Sequence, residues 1–180
     1  MDPQAYRSAQ LARLTNRIGV YALCDLDGVP IYVGQSVDGI RSRVRRHLTS
    51  ARSDIIANRM IDVWEIAYVM AWPVEDRDHI GPLEACLFAR FDAEKQLMNG
   101  KAMRFEGPLA FALPEPSRVQ VIEEEERQDR LSPALRLPRQ IAHYMALVDY
   151  IQTVKNEAHL RRSLKAHFDR LVAYHQTFLA

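Results

Sequence analysis

The sequence predicts an α+β fold, a small three-stranded antiparallel sheet flanked by helices, with a C-terminal helical extension. Three observations predict it. Residues 18–25 and 29–34 are rich in β-formers and are joined by Asp27-Gly28, a hairpin signal. A helical pattern follows, with Ile40, Val44, His47 and Leu48 on one face. A third β-rich stretch, 61–70, then precedes a second helical pattern at 79–94, and the order hairpin, helix, strand, helix builds a small sandwich.

Each element has a local reason. Residues 3–14 open with Pro3, suited to a first helical turn. Pro30 lies near the start of the second strand and points to an edge position or a strand end. Asp38-Gly39 leads into the helix at 40–50, and residues 54–60 add a turn or two. In the helix at 79–94, Pro82 sits in the first turn and Leu83, Leu87, Phe88 and Phe91 make the apolar stripe. Residues 100–117 hold Gly100, Gly107, Pro108, Pro114 and Pro116 and read as a loop. The acidic run 123–126 reads as a solvated helix face or a frayed connector, and Pro133 and Pro138 bracket a further break. Two helical patterns after that break make a helical hairpin. The expected organisation is a core over 1–105, a Pro/Glu-rich connector over 106–138 and a hairpin extension over 139–180.

Composition excludes several classes. The chain has 180 residues, 48% apolar and 26% charged, which suits one domain with an appendage and excludes collagen-like and wholly disordered chains. Two cysteines, Cys24 and Cys86, make neither a disulfide framework nor a Cys-based zinc site and fit a reducing compartment. There is no apolar run of membrane-spanning length and no secretory h-region, so the expectation is a cytoplasmic protein without membrane association. Net charge is only +1, but six Arg fall between residues 35 and 60 against Asp38 and Asp54. The last fifty residues carry seven basic and three acidic side chains, an auxiliary phosphate-binding face or a packing surface. Asp62 and Glu65, on the third strand, read as solvated edge-strand groups, with support of the site's own ligands as the alternative, and His143, His159, His167 and His175 as helix-surface groups.

One set of residues carries chemistry. Gly19-Val20-Tyr21 and Tyr32-Val33-Gly34 place two phenols on paired strands. Arg43 and His47 are one helical turn apart and face one groove. Glu84 begins a later helix and Asn99 follows it. Phosphodiester hydrolysis needs such a set: a group to activate water, a cation to hold the phosphate and a carboxylate to hold a divalent metal.

This ordered set resembles the GIY-YIG nuclease family, across roughly residues 18–100. The pattern is closest to the restriction-endonuclease-like branch, because His47 stands where many relatives have Tyr. The resemblance implies metal-dependent cleavage of DNA. Glu84 would hold one Mg²⁺ or Mn²⁺ and Arg43 the scissile phosphate. Tyr21 would be the general base or water-orienting group, with His47 as its proton acceptor or as an alternative base. Tyr32 would orient water or phosphate. Gly34, Gln35, Arg41, Arg45, Arg46 and Asn99 would contact the substrate or tie the site together. Val20 and Val33 replace Ile, Gln35 stands where several relatives have Lys, and the Pro often seen before the Asn is missing. The spacing from Gly34 to Arg43 is one residue long, which makes Arg41 a rival for the catalytic Arg. The implied role is restriction or defence against foreign DNA. Separately, the apolar stripes of the C-terminal helices suit docking on the core or on a second copy in a homodimer. The rival readings are a repair or mobile-element nuclease, and a non-catalytic nucleic-acid-binding or assembly module on the same fold.

Overall fold

The structure, a computed structural model, describes residues 2–50 and 52–180. Helix α1 (Pro3–Ala12) is capped by Asp2, whose carboxylate accepts from the Ala5 N–H at 2.9 Å. Strands β1 (Gly19–Cys24) and β2 (Pro30–Ser36) form the expected hairpin. Asp25 closes its turn by accepting from the Asp27 and Val29 N–H groups at 3.1 and 2.8 Å. Helices α2 (Ile40–Thr49) and α3 (Asp54–Ala57) follow, then β3 (Tyr68–Pro73) and α4 (Ile80–Glu94). The chain ends with β4 (Ser117–Gln120), α5 (Glu124–Leu131), α6 (Pro133–Thr153) and α7 (Ala158–Leu179).

The sheet is antiparallel, in the order β2-β1-β3-β4. Helices cover both faces, so every residue of β1 is buried. Val20 and Ala22 point to one core with Trp72 and the α4 residues Leu83, Leu87 and Phe88. Tyr21 and Leu23 point to the other, with Leu11 and Leu14 of the N-terminal segment, Val44 of α2 and Leu160 of α7. Register sets Tyr21 opposite Gly34 and Leu23 opposite Tyr32, so both phenols lie on this second face. At the β2 edge, Met98 N–H donates to the Ile31 carbonyl at 2.7 Å, and the chain at 98–99 covers the outer strand.

Four expectations need correction. The sheet has four strands, because Ser117–Gln120 pairs antiparallel with β3. The third strand is displaced to Tyr68–Pro73. Asp62 accepts from the Trp64 N–H at 3.1 Å and bends Val63–Glu65 into a 3-10 turn, while Ile61, Ile66 and Ala67 keep the burial that made the segment look like a strand. Pro138 does not break the chain but lies inside α6, so the expected boundary at 138 falls within a helix. Proline there removes only the bond to the carbonyl of Ala134, which is exposed to water. Finally, Asp62 and Glu65 are buried and paired, and His167 is buried with Nε2 2.8 Å from the Met60 carbonyl.

The C-terminal hairpin is bound to the core by Arg side chains. Arg170 meets Asp25 at 2.8 Å, both about 1% exposed. Arg136 bonds Glu65 and meets Asp27 at 2.7 Å. Arg139 forks onto Asp62 at 2.7 and 2.9 Å. Arg162 donates to the Leu97 and Asn99 carbonyls at 2.8 Å each and to Asp92 at 2.6 Å. Much of the positive charge of this segment therefore serves packing. No helix among the described residues is long and apolar enough to cross a membrane.

Candidate active site

The site lies where β1 and β2 meet α2. Helix α2 begins at Gly39, whose φ of 118° is a conformation that glycine adopts without strain. It has no capping side chain of its own. Instead Asn16 Oδ1 accepts from the Ser42 N–H and hydroxyl at 3.0 Å each, and the Ile40 and Arg41 N–H groups donate to the Arg17 and Thr15 carbonyls. The helix start is thus fixed to the loop leading into β1. Arg41 belongs to the same clamp, with Nε donating to the Leu14 carbonyl at 2.7 Å.

Arg43, rather than Arg41, is the guanidinium that meets the phenols. It is in polar contact with the Tyr21 hydroxyl, and its Nη2 lies 3.9 Å from Asp54 Oδ2. Its Nε is buried with no partner among the described residues. On the other side of Tyr21, the hydroxyl lies 2.7 Å from His47 Nε2. The rings of Tyr21, Tyr32 and His47 form a triangle with centroids 6.3, 5.9 and 6.1 Å apart. Gly34 makes this packing possible. A Cβ there would stand 2.5 Å from the Tyr21 hydroxyl and 2.9 Å from the Tyr32 ring.

The electrostatics follow from burial. Burial pushes the Tyr21 phenol well above its ordinary range, against the opposing pull of Arg43. Tyr32 is pushed up to about 12, by burial first and also by Asp54 and Glu84. His47 is lowered to about 4 by burial and by Arg43, so it is neutral at pH 7. The half-buried Glu84 carboxyl is raised by desolvation alone. Glu84 thus acts on Tyr32 through its charge, yet makes no hydrogen bond or ion pair among the described residues.

The remaining expected residues divide. Gln35 and Arg46 share a concavity with Arg43, Ser36 and Ser42. Arg45 lines a separate groove with Gln4 and Arg7 of α1. Asn99 is committed to the backbone of β2, accepting from the Val33 N–H at 2.9 Å and donating to the Val33 carbonyl at 2.6 Å. Sequence reasoning missed two groups. Asp54 stands beside Arg43, and Ser53 lies 2.6 Å from His47 Nδ1. The only signal for either was their position at the start of a short helical turn.

The donor set fits a hard divalent cation. No group of three or more His, Cys, Asp or Glu among the described residues is arranged to hold a metal. Glu84, half-buried and in no hydrogen bond or ion pair among the described residues, offers one carboxylate of the kind that could hold Mg²⁺, an ion that takes few protein ligands and completes its shell with water and phosphate oxygens.

No curated protein matches the chain. The family model of the GIY-YIG catalytic domain matches residues 17–78, a span that holds both tyrosine motifs, Arg43 and His47 and stops short of Glu84. Over residues 17–78, about a third of its length, the chain is therefore similar to the GIY-YIG catalytic domain.

Proposed function

We propose that this protein is an endonuclease that hydrolyses phosphodiester bonds in DNA with Mg²⁺ or Mn²⁺, acting in restriction or defence against foreign DNA. DNA cleavage in general comes with the domain. The observation that carries the finer reading is the 2.7 Å contact between Tyr21 and a neutral His47, set beside an Arg43 whose Nε has no partner among the described residues.

Arg43 binds the scissile phosphate and offsets the charge that builds on it. Tyr21 orients the attacking water and takes its proton while passing its own to His47 Nε2. A buried phenol does not lose its proton first, so the two transfers are coupled. Phosphate on Arg43 also offsets the guanidinium field, one of the causes that depress His47, and makes the imidazole a better base. Tyr32 orients water or phosphate through its hydroxyl. Glu84 holds the cation, which when bound stabilises negative charge on the phosphate and the leaving oxygen. Asn99 keeps β2, and with it Tyr32 and Gly34, in place. Gln35 and Arg46 extend the phosphate track from Arg43.

A second copy docks through the C-terminal hairpin. Ile141, Phe168 and Val172 are exposed there, and they share an apolar groove with Leu137 and Leu171. One site cuts one strand per encounter, so a dimer supplies the second cut.

The test is plasmid nicking with Mg²⁺ and with EDTA, for wild type, Arg43→Ala and Glu84→Gln. Both variants are expected to fold, to bind DNA and to lose cutting. Wild type that binds DNA without cutting it favours the non-catalytic module. A methyltransferase gene beside this one would support restriction.

A further inference from the structure

Ser53 precedes α3, where a serine hydroxyl ordinarily accepts from an N–H of the first helical turn. Its backbone suits that task, with φ −60° and ψ 131°, yet the side chain makes no capping bond. The hydroxyl lies instead 2.6 Å from Nδ1 of His47. Both residues are buried, Ser53 at 2% and His47 at 1% exposure. The opposite ring nitrogen faces Tyr21. The imidazole is therefore held at both nitrogens, by a strand phenol on one side and by a serine turned away from its own helix on the other.

We propose that Ser53 is a positioning residue for the nuclease reaction: its hydroxyl accepts the Nδ1–H of His47 and leaves the Nε2 lone pair facing the Tyr21 hydroxyl. This rests on the roles given to Tyr21 and His47 above.

A neutral imidazole carries one N–H, so one nitrogen donates and the other accepts. Several groups face this ring: Tyr21 and Tyr32 from the sheet, Arg43 and Arg46 from α2, and Asp54 from α3. The Arg43 guanidinium, itself only a donor, meets the Tyr21 oxygen, and the Tyr32 hydroxyl bonds there as well; with Tyr32 also donating, the phenol proton points at Nε2. With Nε2 accepting, Nδ1 bears the ring proton, and Ser53 is the group placed to receive it. The other tautomer would aim an N–H at Tyr21 and leave the phenol no base. A partner at Nδ1 thus selects the tautomer and fixes the ring plane, while Ser53 touches neither substrate nor water.

The test joins ¹⁵N NMR of the histidine rings with single-turnover nicking by the full chain. The His47 signals are identified by their loss in His47→Asn. Wild type is expected to show the Nδ1–H tautomer, and Ser53→Ala a mixture of both. Ser53→Ala should cut about 10- to 100-fold more slowly with unchanged DNA affinity, and Ser53→Thr should recover most of the rate. An Nε2–H tautomer in a wild type that cuts overturns the role of Ser53 and leaves the nuclease reading standing. So does Ser53→Ala cutting at the wild-type rate. If Ser53→Ala does not fold, the wild-type tautomer and the Ser53→Thr rate decide. A wild type that fails to cut overturns the nuclease reading and, with it, the positioning role of Ser53, whichever tautomer is seen.

Discussion

The phenolic oxygen of Tyr21 and Nε2 of His47, 2.7 Å apart, join the central strand to α2 across a buried face. Replacing Tyr21 with Phe keeps the ring and removes this link together with the hydroxyl's contacts to Arg43 and Tyr32. Single-turnover nicking should fall by about 100-fold or more, the usual cost of losing a positioned acid–base group. Stability should fall by about 1 kcal/mol, because Nε2 loses its partner. Plasmid nicking and urea unfolding measure the two. A Phe variant that cuts at the wild-type rate removes Tyr21 from the reaction.

Gly34 is a steric requirement of the site. Its backbone is not in the left-handed region, but a Cβ would press on both tyrosines. Gly34→Ala should move the Tyr21 hydroxyl from His47 and lower nicking by about 10-fold or more, since small displacements of reacting groups are costly. The overpacking should cost about 1–3 kcal/mol. Nicking rate and melting temperature together check this. Unchanged activity would mean that the ring positions are not what the reaction needs.

How much of this was legible depended on whether a signal was local. The hairpin, α2 and α4 each follow from a periodicity or a turn dipeptide inside one window, and Arg43 and His47 lie one turn apart. Strand β4 was not legible, because four residues after Pro114 and Pro116 carry only one well-buried side chain, Val119. The partners of the C-terminal Arg residues were not legible either. Asp25 and Arg170 are 145 positions apart, and no window contains both. The excess of basic residues therefore left a packing surface and an auxiliary phosphate-binding face both open, and the pairing with Asp25, Asp62, Glu65 and Asp92 supports packing.

That buried pairing makes the C-terminal hairpin part of the core. Arg170→Met should destabilise the whole chain by about 3–5 kcal/mol, because Asp25 is left charged and buried. The double variant Arg170→Met, Asp25→Asn should recover part of the loss. Urea unfolding of the three proteins measures both steps. If Arg170→Met unfolds like wild type, α7 does not depend on this pair and the extension is a separable appendage.

Acid should weaken the fold through its buried histidines. His47 is lowered to about 4 and His167 to about 3, each chiefly by burial, whereas the unfolded chain titrates near ~6.5. Above that value both states are neutral at these groups and stability is independent of pH through them. Below it the unfolded chain binds protons that the native state refuses. Each histidine then removes about 1.4 kcal/mol per pH unit until its folded pKa is reached. Glu65 opposes this trend, since burial raises its carboxyl despite Arg136, and the native state there holds a proton longer than the unfolded one. A single-site comparison separates the two. Between pH 6.5 and 4, wild type should lose stability more steeply than His167→Asn, by about 1.4 kcal/mol per unit. Parallel urea-unfolding curves for the two proteins across that window would show that His167 is not held neutral in the native state.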